Sequence, residues 1–173
     1  MPSYTHLAYR RNAKAAARKQ QIKKPKNLEL IKKAREDFGY FCEFVADKPP
    51  AEHHRIWHRH FITNEDSSCL LKIAGPNIDL LAPRGSAKST VLGLLTAWAI
   101  GVHTQAKQPL QVLYLSYTVD IARSKSATIK RIIESKRYQE VFPKVRLLKN
   151  VTSNEYWSID HKFAGIDTTG EEQ

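Results

Sequence analysis

The chain has 173 residues, enough for one domain with a real core, and 42% hydrophobic against 26% charged residues is ordinary for a soluble globular protein. No apolar run approaches the roughly 20 residues that cross a bilayer, no apolar signal region follows the N-terminus, and two cysteines, Cys42 and Cys69, give no disulfide framework. The net charge of +11 comes from 28 Lys and Arg against 17 Asp and Glu.

That excess is unevenly placed. Ahead of Glu29 there is no acidic residue but eight basic ones: Arg10, Arg11, Lys14, Arg18, Lys19, Lys23, Lys24 and Lys26. The other 20 cations face 17 acids, leaving +3. Residues 1–26 therefore form a basic arm, suited to a polyanion such as double-stranded DNA through counterion release. A solvated tail explains the same composition. A transit peptide fits less well, because the arm has almost no serine.

Pro25 closes the arm, and Asn27 is placed to cap a helix over residues 28–46, with Leu28, Leu30, Ile31, Ala34, Phe38, Phe41 and Cys42 at helical spacing. Pro49-Pro50 breaks it. A further helix is expected over residues 51–61. Within it, His54 and His58 lie four apart, the spacing of a metal pair. No third ligand with suitable spacing follows and there is no H-E-x-x-H pattern, so packing of Ile56, Trp57 and Phe61 on the core is the plainer role. Residues 27–68 group as a helical subdomain and 69–173 as a second unit.

Cys69 to Ile73 has strand character, and Gly75-Pro76-Asn77 turns it. The apolar run Ile78 to Ala82 then leads into Pro83-Arg84-Gly85-Ser86-Ala87-Lys88-Ser89-Thr90, after which an apolar helix is expected from Ser89 to about His103. Strand, tight loop and helix in that order suit a phosphate-binding loop, with backbone N–H groups and a helix N-terminus facing the anion. Lys88 would meet the β/γ-phosphates and Ser89 a Mg²⁺ ion. Ala82 and Ala87 stand where the pattern G-x-x-x-x-G-K-[ST] has glycine. A solvated basic turn before a helix is the alternative. Leu110 to Tyr117 is expected to be a buried strand, and Val119 to Lys136 a basic helix whose cations either meet solvent or face DNA. Residues 143–173 suggest short strands and turns. Alternating strands and helices of this length predict an α/β fold with a parallel sheet.

The ordered set resembles the large terminase subunits of tailed bacteriophages, the ATPase motors that package viral DNA. It includes the Pro83–Thr90 loop; Gln111 to Tyr117; Ala122; Ile129-Lys130-Arg131-Ile132-Ile133-Glu134-Ser135; Tyr138; Val141-Phe142-Pro143; Trp157-Ser158-Ile159; and Phe163-Ala164-Gly165-Ile166. Pro50 and His53 to His58 resemble the segment before the motor core, so the similarity spans roughly residues 40–172.

The resemblance implies a RecA/ASCE-like P-loop core, incomplete on its C-terminal side, that binds ATP and Mg²⁺ at a variant Walker A loop. Lys88 and Arg84 would then be catalytic, Pro83 to Thr90 would bind the nucleotide, and Ser89 would ligate Mg²⁺. It further implies DNA, a portal ring, a small terminase subunit and other copies of the chain as partners, in the cytoplasm of an infected bacterium. A Walker B strand, a catalytic Glu and a nuclease domain are missing, so hydrolysis by this chain alone is not expected. A basic nucleic-acid-binding protein with a relic loop is the alternative from another class; another P-loop NTPase or helicase is the third.

Overall fold

A computed structural model describes residues 28–63, 72–73 and 79–166. The arm cations Arg10, Arg11, Lys14, Arg18, Lys19, Lys23 and Lys24 lie outside these residues, as do most of the strand expected at Cys69 to Ile73 and the beginning of the one at Ile78.

The expected helix over 28–46 is two helices. Asp37 leaves helical geometry (φ −132°, ψ 128°), and its carboxylate accepts the N–H of Tyr40 at 3.0 Å. This Asp cap separates α1, residues 28–36, from α2, Phe38–Ala46. Helix α3 spans Glu52–Phe61 and is followed by a short antiparallel pair, β1 (Ile62–Thr63) with β2 (Lys72–Ile73). Helix α4, Lys88–Gln105, is the central element. Its buried residues, among them Val91, Leu94, Ala97, Trp98 and Ile100, do not keep to one stripe, because helices pack on more than one side of it.

Helix α5 (Val119–Glu134) starts at a Thr118 cap and stops at Ser135, whose hydroxyl accepts the N–H of Tyr138 and starts α6 (Lys136–Val141). A hairpin of β3 (Leu147–Thr152) and β4 (Trp157–Ile159) follows, with a register shift between its ends, and then α7 (His161–Ala164). The hairpin lies along α5: Trp157 Nε1–H donates to Ser126 Oγ at 2.8 Å, and Lys130 Nζ donates to the Ser153 carbonyl at 3.2 Å.

The core is aromatic. Phe38, Phe41, Trp98, Tyr138 and Phe142 pack with ring centroids 5.3–6.4 Å apart, within the range of favourable aromatic pairs. Their polar atoms are satisfied across helices. Trp98 Nε1–H donates to the Ala34 carbonyl at 3.0 Å, and the buried Tyr138 hydroxyl donates to the Ala97 carbonyl at 2.8 Å.

The parallel sheet expected from the sequence is not formed among the described residues. Both sheets among the described residues are two-stranded and antiparallel. Residues 79–83 and 110–116 form no regular secondary structure and pair with no strand among the described residues. Leu81, Leu113, Leu115 and Tyr117 are 80–96% exposed. A RecA/ASCE core carries its phosphate loop on the end of a strand within a parallel sheet; here the loop follows an unpaired segment. The fold is mostly helical, and the resemblance to terminase large subunits is corrected by it. The assignments that depended on that core fall as well: a Walker A ATPase, a hydrolase, and a motor driving DNA packaging.

Candidate functional site: the loop before α4 and the basic surface of α5

Loop residues 83–87 close on themselves. The Pro83 carbonyl accepts the backbone N–H of Ser86 at 3.4 Å, its hydroxyl at 2.8 Å and Lys88 Nζ at 3.0 Å. Lys88 Nζ also donates to the Ala82 carbonyl. The ammonium is thus folded back over the loop that precedes it.

Gly85 sits at φ +84° and Ala87 at φ +56°, both left-handed. Glycine takes such a conformation freely, whereas a Cβ opposes it. The sequence placed Ala87 where a phosphate loop has glycine, and the backbone there is indeed of the kind glycine favours. A left-handed residue followed by the first right-handed turn of a helix turns successive N–H groups toward one side. α4 has no side-chain cap, and the N–H groups of Gly85, Ala87, Lys88 and Ser89 have no partner among the described residues. These donors fit an anion, which the helix dipole also favours.

Arg84 is exposed in the turn and forms no ion pair among the described residues. Ser89 and Thr90 are exposed at the start of α4. Ser89 offers a single neutral oxygen, and no group of three or more His, Cys, Asp or Glu that could hold a metal ion occurs among the described residues. A Mg²⁺ ion at Ser89 would therefore have to arrive with the anion it accompanies.

The histidines of α3 do not form a metal pair. Both ring nitrogens of His54 are engaged: Nδ1 lies 3.2 Å from the Ala51 N and Nε2 lies 2.9 Å from the Ser86 carbonyl. His58 instead stacks on Phe38 at 5.0 Å and meets Trp98 edge-on at 5.6 Å. Its Nε2 is buried without a hydrogen-bond partner among the described residues, and burial pushes the imidazole below its ordinary pKa. His53, His54 and Trp57 form a second ring cluster, with centroids 4.0–5.1 Å apart.

A cavity of about 460 Å³ lies beside α2 and α3, where Glu36, Asp37 and Glu43 oppose Arg55 and Arg59. Its mixed charge gives no preference for an anion, unlike the loop.

From 119 to 150 there are nine cations and three acids, a net charge of +6. Four of the cations are committed within the fold. Arg123 pairs with Glu155 and Asp120, Arg137 with Asp47 and the Phe44 carbonyl, Lys130 with the Ser153 carbonyl, and Arg146 lies 3.9 Å over the Phe163 ring. Lys125, Arg131, Lys136, Lys144 and Lys149 have no such partner among the described residues. The sequence showed the basic helix but could not divide its cations in this way, because most of the partners come from other elements: the hairpin, the end of α2 and α7.

Comparison with protein-family models, with curated proteins and with solved structures found no match.

Proposed function

We propose that this chain binds nucleic acid through its phosphate backbone, with double-stranded DNA as the expected partner. The observation that carries this reading is the +6 segment 119–150, in which five cations remain uncommitted after the fold has used four. Arg131, Lys136, Lys144 and Lys149 are exposed and Lys125 is half-buried; cations of this kind gain affinity by releasing counterions and read no sequence. The uncapped start of α4, with Arg84 beside it, would add a backbone-amide contact to one phosphate. The arm cations Arg10, Arg11, Lys14, Arg18, Lys19, Lys23 and Lys24 would extend the contact along the duplex. ATP with Mg²⁺ offers the same phosphate chemistry to Pro83 to Thr90, and serves as a competitor that separates the loop from the helix surface.

The test is fluorescence anisotropy with a labelled DNA duplex across a salt series. Affinity should fall steeply with salt, with a slope near −0.9 per phosphate neutralised. Replacing Lys125, Arg131 and Lys136 by Gln should weaken binding and flatten the slope by up to about three such contacts. Binding absent even at low salt, or an unchanged slope in the triple variant, would refute the assignment.

A further inference from the structure

His54 makes two hydrogen bonds that only one form of the imidazole can satisfy together. The Ala51 N–H can only donate, so Nδ1 must present its lone pair; the Ser86 carbonyl can only accept, so Nε2 must carry the proton. The ring is therefore the neutral Nε2–H tautomer. Its two bonds join distant parts of the chain.

Toward α3, the ring acts as a cap. Ala51 accepts the N–H groups of His54 and Arg55 through its carbonyl, which makes it the residue that opens the helix, and His54 stands at the third helical position. A side chain there that reaches back to the N–H of the opening residue does what Glu or Gln does in a capping box. Toward α4, the same ring holds the Ser86 carbonyl, 32 residues further along the chain.

Holding that carbonyl has a consequence for the unpartnered N–H donors at the start of α4. In a planar trans peptide the C=O and the following N–H point in opposite directions. With the Ser86 carbonyl turned toward His54, the Ala87 N–H is turned away from it. This is one of the donors left without a partner, and it belongs to the residue that takes a left-handed conformation against the preference of its Cβ.

We infer that His54 is a positioning residue: as the Nε2–H tautomer it latches the Ser86–Ala87 peptide in the orientation that presents the Ala87 N–H to a phosphate, and so couples the start of α3 to the anion-binding loop. The functional half of this inference rests on the phosphate-binding role proposed above for the loop; the latch itself does not. His54→Ala removes both bonds. His54→Gln restores an acceptor and a donor on one side chain.

Three measurements decide it. ¹⁵N NMR of the wild-type histidines should show His54 protonated at Nε2 and not at Nδ1; an Nδ1–H tautomer overturns the inference whatever the variants do. Backbone relaxation at Ser86 and Ala87 should be that of a rigid segment in the wild type, with order parameters near ~0.85, should fall below about 0.6 in His54→Ala, and should recover in His54→Gln. Unchanged order parameters in His54→Ala overturn the latch. Affinity for a DNA duplex should drop about threefold to tenfold in His54→Ala with the salt slope preserved, since no cation is lost. If Lys88→Ala and His54→Ala both bind duplex as the wild type does while His54→Ala still loosens Ala87, the latch stands and the loop's role in phosphate binding fails.

Discussion

Phe142 occupies the space that a side chain on Gly101 would need. A Cβ built at Gly101 would stand 2.4 Å from the Phe142 ring, and the ring itself is fully buried against Phe41 and Tyr138. No real Cβ tolerates such a contact, and a buried ring has nowhere to go. Glycine inside α4 thus serves close approach of α4 to the end of α6. Gly101→Ala should destabilise the protein by about 1–3 kcal/mol despite alanine's better helix propensity, read as a lower urea midpoint at constant m-value. A gain in stability would mean that the helices stand further apart than described.

His58 gives the fold a pH dependence with a definite sign. Burial against Phe38 and Trp98 lowers its pKa below the ordinary 6.5, with Asp37 opposing the shift and Arg59 reinforcing it. The unfolded chain therefore takes up this proton at a higher pH than the folded chain does. The stability that depends on neutral His58 is complete above about 6.5 and is lost as the pH falls from there through the folded pKa. His58→Phe keeps the ring stacking and removes the titration. Urea midpoints measured at about pH 7.5 and about pH 5.5 should fall more for the wild type than for the variant. Equal losses would show that His58 is not held neutral by the fold.

Local signals in the sequence were read correctly where local physics decides the outcome. The helices starting near Glu52, Lys88 and Val119 lie where the sequence placed them, within a residue or so at their starts. Asp37 was overlooked as a cap inside an otherwise unbroken helical pattern, although an Asp three residues before the N–H it caps is a legible signal. The sheet was misjudged for a different reason. An apolar run such as Leu110 to Tyr117 shows strand propensity but not the identity of its neighbour, and pairing is what makes a sheet. The His54–Ser86 bond could not have been read from the sequence, since nothing in either segment indicates the other.

Ala87 is the residue at which the loop conformation and side-chain preference conflict. At φ +56° its Cβ crowds the following carbonyl, at a cost of about 1–2 kcal/mol that glycine does not incur. Glycine adds back ~0.5–1 kcal/mol of unfolded-state entropy. Ala87→Gly should therefore stabilise the protein slightly, by up to about 1 kcal/mol, and should leave the Lys88 and His54 contacts in place. A thermal midpoint that falls instead would mean that Ala87 is not left-handed in solution.

The segment 110–117 offers the sharpest check on the fold itself. Its alternate residues Leu110 and Tyr114 are half-buried toward the domain, while Leu113 and Leu115 are 82% and 80% exposed. Side chains this open contribute little to stability, and a row of them invites association between molecules. Replacing Leu113 and Leu115 together by Lys should therefore leave the stability measured by urea unfolding within about 0.5 kcal/mol of the wild type while lowering concentration-dependent association in sedimentation. A loss of several kcal/mol would instead show both leucines buried in solution, because lysine is tolerated on a wet face and not within a packed sheet. The outcome thus separates an open, unpaired segment from a strand enclosed on both faces.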